Sequence, residues 1–217
     1  MEQQASRPRP RIESLSDLIF GLALSIGAIA LIGNPPKQVG DLYTDILGFA
    51  FNFLVLISVW MRYTRVMSIL PIETRRTSIL NTALLFAVSL EPFLFNTFTS
   101  VAITSPTSDP LFRVTTALYG ADLGTMMLVM GVFTISLADE EKKLVPTDML
   151  RQLRSEALGW FASAALFLVS ATPLFNDLVV LGTFVRTDLW LAALILSLVR
   201  RGARHIHAHE GGKPSSA

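Results

Sequence analysis

The feature that most constrains the fold is a succession of six apolar segments separated by short polar turns. A helix needs about 20 apolar residues, at ~1.5 Å rise per residue, to cross a hydrocarbon core about 30 Å thick. Most of the segments approach that length, although the last is short, and no long polar insertion separates them. They run over residues 12–33, 45–61, 79–100, 112–137, 157–181 and 188–200. This pattern predicts an all-α membrane protein with six transmembrane helices.

The segments define one membrane unit flanked by two polar ends. We assign residues 1–11 to an N-terminal segment, 12–201 to the transmembrane domain and 202–217 to a C-terminal tail. The tail contains three histidines at alternate positions, a spacing that can bind a metal weakly: His205, His207 and His209. Because glycine and serine surround them, the composition favours a disordered tail without a metal site.

The composition excludes several classes of function. Hydrophobic residues make up 51% of the chain and charged residues 16%, too few charges to cover the surface of a soluble domain. The net charge of +1 gives no basic surface for nucleic acid. Cysteine is absent, which excludes disulfides, thiol catalysis and thiolate metal sites. No catalytic triad order, phosphate loop or dinucleotide motif is present, so we expect neither an enzyme nor a cofactor.

The distribution of positive charge predicts the orientation. If both termini are cytoplasmic, only Lys37, Arg113 and Arg186 of the 18 lysines and arginines lie outside. The positive-inside rule predicts such an imbalance, and an odd number of spans would remove it. We therefore expect a multi-pass membrane protein with six spans and both termini in the cytoplasm.

The first apolar segment has two distinct sides when it is drawn as a helix. At 100° per residue, one stripe of large aliphatic residues forms, with one serine in it. The stripe contains Leu15, Leu18, Leu22, Ser25, Ile26 and Ile29. Asp17, Gly21 and Ala28 lie well away from it, and the small residues predict a close helix contact on their side. From geometry alone, the stripe faces lipid, an ordinary core or another structure.

Asp17 is an acid within an apolar helix. A carboxylate at mid-membrane costs about 2.5–3.5 kcal/mol on insertion scales, so its surroundings must compensate for it. One interpretation is a functional acid that binds ions or relays protons. The other is a structural acid that joins helices through hydrogen bonds, which its position away from the stripe favours.

Four motifs in order resemble the transmembrane protein 175 family, the potassium channels of endosomes and lysosomes with prokaryotic single-repeat relatives. The first is R-x-x-x-x-S-D at Arg11, Ser16 and Asp17. The others are Trp60 with Arg65, then LNTALLFAVSLEPF with Asn81 and Pro92, and then TTALYGADL with Tyr119. The resemblance covers the first four helices, and the last two match only by hydropathy. Tyr63 and Thr64 stand where prokaryotic members often have two histidines.

The resemblance implies a homotetramer in a prokaryotic cell membrane, with the first helix of each subunit lining a central pore for K⁺. The stripe would then form aliphatic rings of Leu22, Ile26 and Ile29 that act as constriction and gate, with hydroxyl oxygens from Ser25. Arg11, Ser16, Asp17, Trp60 and Asn81 would form a structural polar network. Glu91 and Asp122 would either line an outer mouth that attracts cations, or pair with Arg113 or with each other.

Three classes of function follow. We expect a potassium-preferring cation channel; a secondary transporter or proton-coupled carrier using an intramembrane acid is the alternative, and a structural membrane subunit is the third. Thr116–Gly120 superficially resembles the T-V-G-Y-G filter of potassium channels. However, leucine replaces the middle glycine that an extended filter needs, and the segment reads as helix. Selectivity would therefore come from side chains.

Overall fold

The structure is a bundle of long helices followed by a short hairpin. The computed structural model describes residues 9–33, 36, 38–70, 74–104, 109–139, 144–175, 178–180, 183–186, 188–193 and 195. The long helices are α1 (Arg9–Gly33), α2 (Val39–Met67), α3 (Arg75–Thr104), α4 (Pro110–Leu137) and α5 (Thr147–Ser170). A 3₁₀ turn at Pro173–Phe175 and two strands, β1 (Val179–Val180) and β2 (Thr183–Phe184), follow α5. Residues 188–193 are again helical, while most of the rest of the predicted sixth segment lies outside the described residues.

Polar residues fix the starts of two long helices. Asp109 caps α4 by accepting a 2.8 Å hydrogen bond from the Leu111 N–H, and Pro110 follows at the first helical position, where its missing N–H costs nothing. At the start of α2, the Asp41 carboxylate accepts hydrogen bonds from the backbone and side chain of Gln38. These caps satisfy backbone groups that the first turn of a helix leaves without intrahelical partners.

The predicted fifth segment, 157–181, is wrong at both ends. The helix extends back to Thr147, because the charged residues before 157 continue it as an amphipathic helix. It ends at Ser170, shortly before Pro173, which has no N–H to continue the ladder. β1 and β2 then pair antiparallel, with Val179 opposite Phe184 and Val180 opposite Thr183.

α4 lies at the centre of the bundle and packs against α5, α3 and α2. In the most apolar 18-residue stretch of each helix, 61% of the residues of α4 are buried, against 28% of those of α2. Two glycines let α5 approach closely: a Cβ on Gly124 would lie 2.7 Å from Leu168 Cγ, and one on Gly131 would lie 2.7 Å from Phe161 Cε1. The α4–α5 contact therefore depends on bare backbone, as in other membrane helix pairs.

α1 packs on α2 and α3 through one narrow face. Its buried residues recur at helical spacing: Ser16, Phe20, Ala23 and Gly27. A Cβ on Gly27 would lie 3.4 Å from Asn52 Nδ2, whereas a Cβ on Gly21 would meet nothing within 4 Å. Ala28 is also exposed in the subunit. The prediction that Gly21 and Ala28 form the close helix contact is therefore wrong within the subunit, since the contact falls on Gly27.

Within the described ranges, three helices, α2, α3 and α4, are long and apolar enough to cross a membrane. α1 adds a shorter apolar stretch over Ser14–Ile29. Arg62, near the end of α2, forms a 3.0 Å ion pair with Glu156 in the charged first half of α5. The protein is thus a multi-pass membrane protein. The first half of α5 is charged and is tied to the end of α2 by this ion pair.

Candidate functional site: the outward face of α1 and its polar anchors

The outward face of α1 is aliphatic and packs against nothing in the described part of the subunit. Leu22 is 56% exposed, Ile26 42% and Ile29 62%. Leu15 and Leu18, on the same stripe, are also exposed. We call this stripe the aliphatic face. It lies opposite Phe20 and Ala23, which are almost fully buried, so α1 separates the bundle core from whatever covers the aliphatic face.

Ser25 contributes the polar atom of the aliphatic face. Its hydroxyl donates a 2.8 Å hydrogen bond to the Gly21 carbonyl one turn earlier. Because the proton is used within the helix, the oxygen lone pairs remain available to a ligand on the exposed side. The side chain can therefore act towards a cation as an acceptor.

The carboxylate of Asp17 lies on the flank of α1 and contacts α2. Trp60 Nε1 donates a 3.0 Å hydrogen bond to Asp17 Oδ1. Asp17 is exposed in the isolated subunit, while Trp60 is half-buried. An indole donor can stabilise a carboxylate without neutralising it, so the bond holds Asp17 towards α2 and away from the aliphatic face.

A second polar link joins α1, α2 and α3. Tyr63 Oη donates a 2.7 Å hydrogen bond to Asn81 Oδ1 and lies 2.7 Å from Ser16 Oγ. All three side chains are buried. Since the single phenolic proton goes to Asn81, the serine hydroxyl donates to the tyrosine. The link is thus a chain of three side chains, one from each helix.

The sequence alone does not identify Tyr63 as the bridge of that chain, since the position stands out there only as a difference from the family's histidines. A usable signal was its spacing, because Trp60 and Tyr63 are three residues apart and share a helix face. Arg11, also assigned to the polar network, has a side chain outside the described residues, and so have the three tail histidines. Within the described ranges, no group of three or more His, Cys, Asp or Glu side chains forms a metal site.

Glu91 and Asp122 lie inside the subunit. Glu91 is 0% exposed and Asp122 8%, and both lie near the middle of their helices. This burial near mid-helix does not favour an outer mouth, which stays a prediction for the assembled protein. Arg113 lies nine residues from Asp122, about 13 Å along the helix, so the rise of α4 separates this pair, and pairing of Arg113 with either acid stays a prediction. The two acids are near enough to interact electrostatically.

The segment Thr116–Gly120 is part of α4 and therefore helical. Thr116 accepts a short hydrogen bond from the Arg186 guanidinium. Arg186 also donates from Nε to the Ser170 carbonyl at 2.7 Å and from Nη2 to the Thr172 carbonyl at 3.2 Å. These carbonyls at the C-terminal end of α5 favour a cation, although burial lowers the pKa of Arg186 from its ordinary value. Arg186 thus ties the end of α5 to α4.

Comparisons with known proteins agree at the level of family and fold. Residues 11–92 match the model of the family described as endosomal/lysosomal potassium channel TMEM175. A crystal structure of a lysosomal potassium-selective channel TMEM175 homolog from Chamaesiphon Minutus has a TM-score of 0.60 at 17% identity, covering 88% of this chain and 96% of that one. A crystal structure of a variant of the potassium channel MtTMEM175, in complex with a Nanobody-MBP fusion protein, has a TM-score of 0.61 at 16% identity, covering 94% and 98%.

No curated protein matches the chain at the sequence level. The family match nevertheless includes α1, α2 and the half of α3 that carries Asn81, where the polar anchors lie. The two solved structures extend the shared fold over most of the chain. The chain therefore matches the TMEM175 family over residues 11–92 and shares the fold of two solved TMEM175 channels over most of its length.

Proposed function

We propose that the protein is a potassium-permeable, potassium-preferring cation channel built from four copies of this chain. In this assembly α1 of each subunit lines a central pore, and the aliphatic face provides the constriction. The observation that carries the proposal is the exposure of Leu22, Ile26 and Ile29 on the side of α1 opposite its buried contacts. The family description as potassium channels supports the choice of ion.

Stacked aliphatic rings can act as a gate. Leu22 and Ile26 lie four residues apart, so their rings would be separated by about 6 Å along the axis, with Ile29 about 4.5 Å further. A narrow hydrophobic ring excludes water and therefore opposes ions, and it conducts when it widens. The gate would need no carbonyl filter, in agreement with the helical conformation of Thr116–Gly120.

Ser25 supplies the preference among cations in this proposal. Its proton is held by the Gly21 carbonyl, so four Ser25 oxygens could each offer lone pairs to an ion between the Leu22 and Ile26 rings. Such oxygens replace part of the hydration shell. A larger cation such as K⁺ loses its water more readily than Na⁺, which would favour potassium.

The proposed setting is a prokaryotic cell membrane with both termini in the cytoplasm. The lysine and arginine distribution supports this orientation. The Arg62–Glu156 pair would then lie on the cytoplasmic side, where α2 ends and α5 begins. The partners are K⁺, the lipid bilayer and the other copies of the chain.

A carrier is the second candidate, and one observation favours it. Glu91 and Asp122 lie buried at the middle of α3 and α4, the depth at which transporters place coupling sites. The aliphatic face has no role in that mechanism, which is why we prefer the channel.

Single-channel recording distinguishes the two. Purified protein in a planar bilayer under a potassium gradient should give discrete unitary steps that reverse near the potassium potential. Flux of labelled K⁺ without unitary steps, dependent on a proton gradient, would support the carrier. If well-assembled protein gives no unitary steps and no K⁺ flux, the structural membrane subunit is the remaining function.

A further inference from the structure

A cluster of four buried polar side chains lies inside each subunit, away from the aliphatic face. Glu91 from α3 lies among Asn52 from α2 and Tyr119 and Asp122 from α4, and it interacts with all three. Glu91 is 0% exposed, Asn52 and Tyr119 are each 1% exposed, and Asp122 is 8% exposed. We call these four residues the acid cluster. Its members come from three helices, so helix packing assembles it.

The acid cluster has more oxygen atoms than donors, since only the Asn52 amide and the Tyr119 hydroxyl can donate to Glu91 within it. Five buried oxygens accept no hydrogen bond of standard geometry from any described residue: Asn52 Oδ1, both Glu91 carboxylate oxygens, Tyr119 Oη and Asp122 Oδ2. Among the described residues, no ion pair involves either acid, and no lysine or arginine is among the groups that interact with Glu91. Buried polar atoms are normally satisfied, so this cluster requires a ligand or protons.

The position of the acid cluster makes an uncompensated charge costly. Glu91, Asp122 and Asn52 all lie near the middle of helices that span about 40 Å, which corresponds to the centre of a membrane. Two carboxylates there carry a charge that the apolar surroundings cannot solvate. A ligand that enters the cluster must therefore be positively charged and coordinated through oxygen.

We propose that the acid cluster is a cation site within each subunit, separate from the pore, that binds a hard divalent cation of the Ca²⁺ type. Two carboxylates balance one divalent charge. Carboxylate and amide oxygens are the ligands that Ca²⁺ uses, and it tolerates irregular geometry with mono- or bidentate carboxylates. Mg²⁺ fits less well because it demands an octahedral shell and keeps several waters. The absence of sulfur and imidazole in the cluster argues against softer metals.

The cation would join α2, α3 and α4 at their midpoints. Asn52 also faces α1, since its Nδ2 lies 3.4 Å from where a Cβ on Gly27 would be. Occupation of the acid cluster would therefore stabilise the part of the bundle on which α1 rests. This role does not depend on whether the aliphatic face lines a pore.

Calcium binding to purified full-length protein tests the proposal. We would measure equilibrium binding of radioactive Ca²⁺ and the thermal midpoint Tm, at fixed ionic strength set with choline chloride, for wild type, Glu91→Gln and Asp122→Asn. Asp45→Asn, a change to an acid on α2 outside the cluster, is the matched control. Wild type and the control should bind about one Ca²⁺ per subunit and gain about 2–4 °C in Tm at saturation.

The two cluster variants should bind Ca²⁺ at least on the order of tenfold more weakly, because each loses one of two charges. In the presence of a chelator their Tm should equal or exceed that of wild type, which shows that they fold. The proposal is overturned if wild type shows no saturable Ca²⁺ binding, in which case protons alone neutralise the acids. It is equally overturned if both variants retain the wild-type affinity, since the bound ion then lies elsewhere.

Discussion

Trp60 Nε1 donates a 3.0 Å hydrogen bond to Asp17 Oδ1, which fastens α1 to α2 on a side of α1 away from the aliphatic face. The bond holds an acid that the bilayer would otherwise penalise, and it sets the rotation of α1 about its axis. Rotation decides which side chains face outward. The pair therefore positions Leu22 and Ile26 without either residue contacting them.

Substitutions at Asp17 should affect assembly more than conduction. Asp17→Ala removes a bond to a charged group and should lower the yield of tetramer, by a loss of about 1–3 kcal/mol. Asp17→Asn keeps an acceptor for the indole and should retain part of the function. Trp60→Phe removes the donor while keeping an aromatic ring, so it should resemble Asp17→Ala. Size-exclusion chromatography with light scattering measures the yield. Normal tetramers with altered ion selectivity in Asp17→Ala would place the acid in the pore instead.

The buried link through Tyr63 should contribute to stability. Tyr63→Phe removes the hydrogen bonds from Ser16 and to the Asn81 carbonyl oxygen in a buried site, which should cost about 1–3 kcal/mol. Tyr43→Phe is the matched control, because Tyr43 is 65% exposed and should change the midpoint little. Thermal unfolding in detergent measures both. Equal midpoints for the two variants would show that the link carries no stability.

Replacing a glycine at the contact between α4 and α5 with a residue that has a Cβ should destabilise the protein. Gly124→Ala places a Cβ 2.7 Å from Leu168 Cγ and 3.2 Å from its backbone N, so the helices must separate, at a cost of about 1–3 kcal/mol. Gly40→Ala meets nothing within 4 Å and serves as the control. A thermal midpoint of Gly124→Ala at or above that of Gly40→Ala would contradict this packing.

The sequence predicts the long helices well and their lateral contacts poorly. Hydropathy locates α1 to α4 because an apolar run must span the membrane, and helical periodicity identifies the aliphatic face as one stripe. Periodicity does not reveal which other side of α1 packs against α2. It therefore predicts the close contact at Gly21, whereas the structure has it at Gly27. The end of α5 was misplaced because residues 171–181 are apolar in composition, although Pro173 stops the helix.

The side-chain contacts between different helices cannot be predicted from the sequence. Nothing in the sequence of α2 indicates that Tyr63 contacts Asn81 or that Asn52 lies near Glu91, because helix packing creates both contacts. The depth of Glu91 and Asp122 depends on where α3 and α4 end, which hydropathy places only to within a few residues. The acid cluster is consequently a product of tertiary structure.

Topology can be tested directly because the chain contains no cysteine. Single cysteines introduced into the loops at 34–41, 101–110 and 182–187 should react with a membrane-impermeant thiol reagent from outside intact cells. A cysteine in the tail at 202–217 should react only after permeabilisation. External labelling of the tail would contradict six spans and the orientation together.

The central claim is that the aliphatic face of α1 lines the pore, and the reversal potential under mixed K⁺ and Na⁺ tests it most directly. Leu22→Ala should widen and wet the ring, raise the current and reduce the potassium preference; Ile26→Ala should do so as well. Ser25→Ala should reduce the preference with less effect on current. Leu24→Ala, at a half-buried position off the stripe, is the control.

With K⁺ on one side of the bilayer and Na⁺ on the other, a tenfold loss of preference moves the potential by about 59 mV. We expect such shifts towards zero for Leu22, Ile26 and Ser25 variants alone; unchanged potentials and conductance in well-assembled protein would show that this helix does not line the pore.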